Sequence, residues 1–343
     1  MIRRPTLRDI AKATGYHFTT VGLALRGDPR IHPQTVTAIR AAAQEIGYTP
    51  DAMLSALSAY RHIERPHIVG VIGYLHTFEL PGDYLTDLRA RLLFDSAAAR
   101  ARALGFKLEA ISIRSSGLTG KRLTGILKTR GIHGLILPPL FPHPGHFLEL
   151  DWSQFATVAV GYSILSPKTH RTAFNQAANM QLALRELRRL GYQRIGLQLY
   201  PEIDTRTNSH PLGAYLADQL RQPEAERIPP LFATELTPAA LRQWIETHRP
   251  DCILTASPEL LGRVQALGVK VPDDIGLALL SRNSVHSLVA GVDEQADLLG
   301  SSAVDFTVSL LQTSQQGLPP FPRIVLVEGQ WVWGPTVRPP MSL

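Results

Sequence analysis

The chain has 343 residues, of which 44% are hydrophobic and 19% are charged. This composition supplies enough apolar material for a core and excludes wholesale disorder, and the length suggests two or three domains. No apolar run approaches the roughly 20 residues of a membrane-spanning helix. One cysteine, Cys252, excludes a disulfide scaffold and a cysteine-based zinc site, and it fits a reducing compartment.

The net charge of +6 is unevenly placed along the chain. Residues 1–65 contain nine lysines and arginines against five acidic residues, a net +4. A basic segment beside a near-neutral body favours a polyanion partner at the N-terminus, although a basic solvated face would give the same count. No apolar stretch follows the basic start as it does in a signal peptide, so we expect a cytoplasmic protein.

Three short helices are predicted between residues 6 and 47. The first begins at Thr6, whose residue type is favoured at the start of a helix, and Gly15 follows it. The second is predicted from Phe18 to Leu25. The third begins at His32-Pro33, where a proline in the first turn costs no hydrogen bond, and it ends at Gly47.

The spacing of Ala11, Gly15 and Val21 is typical of a helix-turn-helix. Two helices that cross closely need a small residue at the crossing, here Ala11. A glycine in the turn follows four positions later, and a branched apolar residue of the second helix follows six positions after that. A small three-helix packing unit without a DNA-binding role is the alternative. The basic charge of the segment favours the helix-turn-helix.

Residues 51–60 predict a further short helix after the extended segment Tyr48-Thr49-Pro50. Met53, Leu54 and Leu57 form its apolar side. A helix this short is unstable in isolation, so we expect it to order against a partner chain or DNA. A linker helix packed on the body is the alternative.

From residue 66 onward, apolar strand-like runs alternate with amphipathic helices. This βαβ repetition predicts parallel sheets with helices on both faces, arranged as two doubly wound lobes. We assign the first lobe to residues 66–160 and 290–320, and the second to residues 161–289 and 321–343. Ligands of such folds bind at the carboxyl ends of the strands, here in the cleft between the lobes.

Segments near the lobe boundaries are also assigned to one lobe or the other. We expect Val289–Glu294 and the helix Ala296–Gln312 to pack back on the first lobe. Phe155–Tyr162 is expected to end the first lobe, and Arg323–Trp333 to close the second.

Motifs of catalysis are absent from the sequence. It contains no G-x-G-x-x-G, no complete P-loop and no G-x-S-x-G. His143 and His146 are spaced as metal ligands could be, but no carboxylate or thiol nearby completes a site, so loop residues are the better interpretation. We therefore expect no metal, no cofactor and no enzyme activity.

Motifs across the first 50 residues resemble the headpiece of the lactose-repressor (LacI/GalR) family. They are Thr6-Leu7-Arg8-Asp9-Ile10-Ala11, Gly15, Thr20-Val21, Ile31-His32-Pro33 and Ile46-Gly47-Tyr48-Thr49-Pro50. In the body, the segment Gly268–Ile275 resembles the stretch before a core strand of that family.

The resemblance implies a fold and a mechanism. A small all-α headpiece with its hinge helix would occupy residues 1–60. Residues 61–343 would form an effector-binding and dimerisation body of periplasmic-binding-protein-like α/β fold. Members are homodimers whose second headpiece helices enter the major groove of a pseudo-palindromic operator, while paired hinge helices kink the minor groove. A small-molecule effector, such as a sugar or sugar derivative, would shift the hinges between ordered and disordered states.

The resemblance also implies which residues contact DNA. Base edges would be met by His17, Phe18 and Thr19, phosphates or flanking bases by Thr6, Thr20 and Arg26, and the minor groove by Leu57. The chain departs from the family at Gly22, where relatives carry a hydroxyl, and at Leu23, where they commonly carry an arginine. Leu23 donates no hydrogen bond and can only touch a thymine methyl. We therefore expect the centre of the operator to differ from the sequence common in the family.

Aligning the body on the family gives a predicted rim for the effector site. Its members lie at strand ends or helix starts: Arg114, Tyr162, Asn175, Arg206, Asn208, Ser257 and Asp293. Sugar-binding relatives often have Asp, Arg and Asp where this chain has Gly161, Pro211 and Ser281. These substitutions put the usual sugar mode in doubt, so either the effector differs or Arg114, Arg206 and Asp293 replace the lost charges.

Four functions remain to be compared at this stage. An effector-responsive transcription regulator, a repressor by family resemblance, is our first hypothesis. The second is a small-molecule binding protein whose headpiece no longer binds specific DNA, which Gly22 and Leu23 make conceivable. An α/β enzyme has no supporting motif. A secreted solute-binding protein shares the body fold but would need a signal peptide.

Overall fold

The structure is a computed structural model that describes residues 5–25, 31–46, 48, 69–78, 88–114, 118–140, 143–282 and 288–339. The predicted hinge helix at 51–60, with Leu57, and the predicted phosphate contact Arg26 lie outside the described residues. Of the described helices, none is both long enough and apolar enough to cross a bilayer.

The headpiece consists of α1 (Leu7–Thr14), α2 (Phe18–Leu25) and α3 (Pro33–Glu45). Ile10, Val21 and Ile39, one from each helix, are fully buried against one another. Gly15 ends α1 in a left-handed conformation with φ 73°, and its amide donates to the carbonyl of Ala11 at 2.9 Å. The predicted order of small residue, turn glycine and branched apolar residue therefore forms the turn between α1 and α2.

The body alternates strands and helices along the chain. Its first half contains β1 (Gly70–His76), α4 (Leu88–Ala103), β2 (Phe106–Ser112), α5 (Gly120–Thr129), β3 (Ile132–Leu137), β4 (Gly145–His146), β5 (Ala156–Val160), β6 (Ile164–Ser166), β7 (His170–Phe174) and α6 (Gln176–Arg189). Its second half contains β8 (Ile195–Leu199), α7 (Pro201–Arg206), α8 (His210–Gln219), β9 (Leu231–Phe232), α9 (Pro238–His248), β10 (Cys252–Thr255), α10 (Leu260–Ala266), β11 (Gly276–Arg282), β12 (Ala290–Asp293), α11 (Ala296–Gln312), β13 (Ile324–Val327) and β14 (Gln330–Val332).

Two six-stranded sheets define the two predicted lobes. The first has the order β13-β7-β5-β3-β1-β2, and all its neighbouring strands are parallel. The second has the order β14-β12-β11-β10-β8-β9, in which β14 alone runs antiparallel to its neighbour. The short strands β4 and β6 pair separately. The predicted doubly wound α/β fold is confirmed.

Helices cover both faces of each sheet, as the βαβ pattern predicts. In the first lobe, α4 and α11 pack on one face and α5 on the other. In the second lobe, α6 and α8 pack on one face, and α9 and α10 on the other. Each sheet is therefore buried on both faces, which explains why its inner strands are nearly continuous apolar runs.

Strand assignments near the lobe boundaries differ from those predicted. The first sheet does not end at Tyr162, because it gains β7 and also β13. The segment 290–293 forms β12 in the second sheet, not in the first lobe, whereas α11 packs on the first lobe as predicted. The run Arg323–Trp333 was predicted to close the second lobe, but it forms β13 in the first sheet and β14 in the second. The two strands are divided at Gly329, where a side chain would collide with Val292.

The chain crosses between the lobes at three adjacent places. The crossings follow β7, β12 and β13, and hydrogen bonds join them to one another. The amide of Asn175 donates to the carbonyl of Val327 at 2.8 Å. The Gln176 side-chain amide donates to the Glu294 carboxylate at 2.6 Å. These three crossings connect the two lobes at one edge of the cleft.

Candidate functional site

The first turn of α2 is an exposed polar and aromatic surface on the headpiece. His17, Phe18 and Thr19 are exposed, and Phe18 is 48% accessible although it is a large apolar residue. The rings of His17 and Phe18 lie 4.5 Å apart. The Thr19 amide donates to Nδ1 of His17 at 3.4 Å, so the imidazole lies over the start of the helix. Three neighbouring side chains predicted to meet base edges are thus presented together.

The other described headpiece candidates flank this turn. Thr6 is exposed at the start of α1, where its amide and hydroxyl both donate to the Asp9 carboxylate at 2.7 Å. Thr20 is half-buried beside the core residue Val21. Gly22 is buried and Leu23 is half-buried, so the two positions that depart from the family differ in exposure.

A cavity of about 200 Å³ lies between the lobes, where strands of both sheets end. Its wall from the first lobe includes the residues that follow β3 and β5, and the end of β7. Its wall from the second lobe includes α7, the start of α8 and the ends of β8, β10 and β11. This is the position at which parallel α/β sheets bind ligands.

Two of the seven predicted rim residues line this cavity. Tyr162 lies beside His210, with ring centroids 4.8 Å apart, and the Arg171 guanidinium lies 5.3 Å from its ring. Burial raises the pKa of the Tyr162 phenol, and the positive charge of Arg171 opposes that shift. Arg206, the last residue of α7, lines the wall of the second lobe.

The remaining five predicted rim residues do not line the cavity. Arg114 follows β2, the outer strand of the first sheet, whereas the cavity lies over the inner strands. Asn208 is exposed and contacts His210, and the Ser257 hydroxyl donates to Glu259 at 2.5 Å. Asn175 and Asp293 lie in the crossings. Their side chains accept from backbone amides of Ala178 and Gln295, so they stabilise local chain conformation.

Sequence reasoning missed several polar residues that line the cavity, among them Arg89, Gln176 and Glu294, and it named Ser281 only as a departure from sugar-binding relatives. Glu294 is 3% accessible and accepts from Gln176 and from the Ser281 hydroxyl. Arg89, on α4 of the first lobe, donates to Ser281 of the second and lies 3.8 Å from the Glu294 carboxylate. Burial raises the pKa of Glu294, while Arg89 and the two hydrogen bonds oppose this shift.

Some signals for these residues were present in the sequence. Gln176 directly follows Asn175, and Glu294 directly follows Asp293, both of which were predicted to line the effector site. Gly161, Pro211 and Ser281, the three positions where the chain departs from sugar-binding relatives, all line the cavity. Arg89 had no strand-end signal, because it approaches the cleft from a helix. In the described part of the chain, no three His, Cys, Asp or Glu side chains gather as a metal site would require.

The described chain thus combines a three-helix headpiece with a two-lobed body that has a cavity in its cleft. The headpiece matches the family described as "Bacterial regulatory proteins, lacI family" over residues 6–51. This match confirms the resemblance that the motifs from Thr6 to Pro50 predicted. No curated protein matches the chain in sequence.

Solved structures share the fold of most of the chain. The transcriptional regulator CelR in complex with cellobiose has a TM-score of 0.57 and 19% identity, covering 97% of this chain and 100% of its own. The lac repressor dimer bound to operator and the anti-inducer ONPF has a TM-score of 0.54 and 17% identity, covering 97% and 99%. The LacI-family regulator CCPA from Weissella paramesenteroides with bound glucose has a TM-score of 0.53 and 12% identity, covering 78% and 98%. The predicted body fold is thereby confirmed.

Proposed function

We propose that this chain is a sequence-specific DNA-binding transcriptional regulator, acting as a repressor, whose operator affinity is controlled by a small molecule in the cleft cavity. The observation that supports this most directly is the exposed first turn of α2 on a headpiece of the lacI family. An exposed helix start with an aromatic and two polar side chains is suited to a major groove. A regulator in this role needs no catalysis and works in the cytoplasm with the DNA.

Each side chain has a role in this proposal. Phe18 contacts a thymine methyl, and His17 and Thr19 hydrogen bond to base edges. Thr6, Thr20 and Arg26 contact phosphates or flanking bases. Leu57 enters the minor groove from a hinge helix within residues 51–60. The solved relative bound to operator is a dimer, which supports a homodimer on a pseudo-palindromic site.

The body supplies control in this proposal. Residues 61–343 bind the effector and dimerise, and Tyr162 and Arg206 contact the effector directly. Relatives with bound cellobiose and glucose support a small-molecule site of this kind. Asn175 and Asp293 act at the crossings, where they shape the connection between the lobes, and Arg114, Asn208 and Ser257 lie outside the cavity.

Selection from random double-stranded DNA followed by mobility-shift assays tests the function. We expect a pseudo-palindrome to be enriched, and its affinity to fall steeply with salt. Phe18→Ala is expected to weaken specific binding about tenfold, because a base contact is lost from an exposed residue that the fold does not need. Gln44→Ala, at an exposed position of α3, is the matched control.

Two results would contradict the proposal. One is the failure of any sequence to be enriched, with or without small molecules. The other is a chain lacking residues 1–60 that retains every measurable activity, which would favour a binding protein whose headpiece no longer recognises DNA.

A further inference from the structure

We propose that the outer edge of β13 is a docking surface for β13 of a second copy of this chain, and that this contact joins two operator-binding dimers. The strand itself supports the contact between copies. The statement that the contact joins dimers rests on the proposed function, because it concerns the form of the chain that binds an operator.

Strand β13 lies at the edge of the first sheet and has a strand partner on one side. Its neighbour is β7, with Ile324 opposite Arg171 and Val327 opposite Phe174. No other strand in the described part of the chain pairs with it. An edge strand presents a row of backbone N–H and C=O groups that can pair with another chain.

The side chains of this edge are apolar and exposed. Ile324, Val325 and Leu326 are all exposed, and β13 contains no charged residue. Leu318 and Phe321, which precede the strand, are exposed as well, and Phe321 is 84% accessible. Edge strands are commonly protected by charged side chains, and an exposed apolar segment without them indicates an interaction surface.

Hydrogen bonds to β7 show which backbone groups of β13 face outward. The amides of Arg171 and Asn175 donate to the carbonyls of Arg323 and Val327, at 3.0 Å and 2.8 Å. Successive residues of a strand direct their backbone groups to alternate sides, so the odd-numbered residues of β13 face β7. The N–H and C=O groups of Ile324 and Leu326 therefore point away from the sheet.

A second copy of β13 offers the matching groups. A twofold axis perpendicular to the sheet sets the two strands antiparallel and keeps each side chain on its own face of the sheet. Ile324 of one copy then lies opposite Leu326 of the other, and the same pair recurs on the far side of the axis. Each pair can exchange two hydrogen bonds, so every outward group of β13 finds a partner.

The residues that flank β13 favour this register, in which Val325 lies opposite Val325 of the other copy. A shift in one direction would set Leu326 opposite Pro322, which has no N–H to donate. A shift in the other direction would set Ile324 opposite Glu328, an exposed acid. The favoured register pairs the apolar residues 324–326 of the two copies with one another.

This contact differs from the one that a pseudo-palindromic operator requires. The strands of the first sheet are all parallel, and the headpiece precedes β1 in the chain. Antiparallel pairing at β13 reverses the sheet of the second copy, so the two chains enter β1 at opposite ends of the joined sheets. Two headpieces on one operator must lie side by side, so they need a separate contact. The β13 contact then joins two such dimers and can hold two operators.

Disulfide trapping in the full chain tests the register. Val325→Cys sets a thiol opposite its own copy in a non-hydrogen-bonded pair, whose Cα atoms are about 4.5 Å apart and can be bridged. With copper–phenanthroline as the oxidant, we expect most of this variant to run as a covalent pair on a non-reducing gel. Ile324→Cys is the matched control and should stay mostly single, because it faces Leu326. Native Cys252 is buried and should not react.

Light scattering of the full chain at micromolar concentration measures the assembly. We expect the original chain to form a tetramer or a larger assembly, and Ile324→Lys, which places a charge on the edge, to have the mass of a dimer. Gln243→Lys adds the same charge at an exposed position of α9 and should keep the original mass. Ile324 is exposed, so its lysine variant should keep the original Tm, and disulfide trapping tests the contact without it.

Three results would overturn the inference. They are an original chain no larger than a dimer, an Ile324→Lys variant with the original mass, and equal cross-linking of Ile324→Cys and Val325→Cys. A tetramer that depends on Ile324, in a chain that enriches no DNA sequence, would retain the contact and remove the regulator. Operator binding by a chain no larger than a dimer would retain the regulator and remove the inference.

Discussion

The most unusual single residue of the cavity is Glu294, a carboxylate that is almost fully buried between the lobes. The sequence predicted its neighbour Asp293, the last residue of β12, as a cavity residue, because it lies at the carboxyl end of the sheet. Successive residues at a strand end point in different directions, so a strand boundary alone does not decide which of two adjacent acids faces a cleft. The sequence therefore predicted that the end of β12 lies at the cavity, but not that Glu294 is the side chain that lines it.

The buried position of Glu294 predicts a pH-dependent contribution to stability. Burial raises its folded pKa above the ordinary 4.5, although Arg89 lowers it again and Asp293 raises it further. An acid with a raised folded pKa binds its proton more tightly in the folded state, so stability is lost as pH rises through that window. Glu294→Gln should therefore gain free energy of unfolding relative to the original chain as pH increases from about 4.5, by at most about 1.4 kcal/mol per pH unit.

Urea unfolding at a series of pH values from about 4.5 to about 7 measures this difference. Glu246→Gln, at an exposed position of α9, controls for the loss of one negative charge from the molecule. A difference between Glu294→Gln and the original chain that stays constant across the series would contradict the prediction.

At the scale of elements, the sequence defined most helices and inner strands closely but not the strands beside the crossings. Ile132–Leu137, Pro238–His248 and Ala296–Gln312 have the predicted bounds because their apolar periodicity is uninterrupted. Strand β7 was not assigned as a strand because His170, Arg171 and Thr172 interrupt its apolar pattern. Its polar groups have partners in the tertiary structure: Nδ1 of His170, for example, accepts from the Arg323 amide at 3.0 Å.

Helix packing in the first lobe depends on a glycine that periodicity does not identify. Gly300 of α11 is buried against α4, and a side chain there would collide with Ser96 and the carbonyl of Leu93. Gly300→Ala should therefore destabilise the chain by about 1–3 kcal/mol through overpacking. Chemical denaturation of the full chain is the measurement.

Gly125→Ala is the matched control for that substitution. Gly125 lies in the interior of α5, is exposed, and has open space where a side chain would stand. Alanine there should stabilise the chain by about 0.5–1 kcal/mol, because the unfolded chain loses conformational freedom. If both substitutions changed stability in the same direction, the close approach of α4 and α11 would not be the cause.

At the scale of the whole molecule, Arg89 adds a side-chain contact between the lobes beside the crossings of the chain. It extends from α4 of the first lobe to Ser281 and Glu294 of the second. Arg89→Ala should loosen the contact between the lobes, and amides around the end of β11 should then exchange with solvent several-fold faster. Hydrogen exchange measured by mass spectrometry gives this rate.

Arg91→Ala supplies the comparison on the same helix. Arg91 pairs with Asp95 at 3.5 Å within α4 and makes no described contact with the second lobe. Its removal should leave exchange at the end of β11 unchanged. Equal acceleration in both variants would show that Arg89 acts through its helix and not across the cleft.

The order of strands in the first sheet has a consequence for how the protein is made. Strands β1 to β7 leave the ribosome early, but α11 and β13, which complete this lobe, follow only after most of the second lobe. Until α11 arrives, the apolar face formed by Ile72, Tyr74 and Leu93 lacks the cover it has in the folded chain. The first lobe to be synthesised is therefore the later one to be finished, and its nascent form exposes the surface that chaperones recognise.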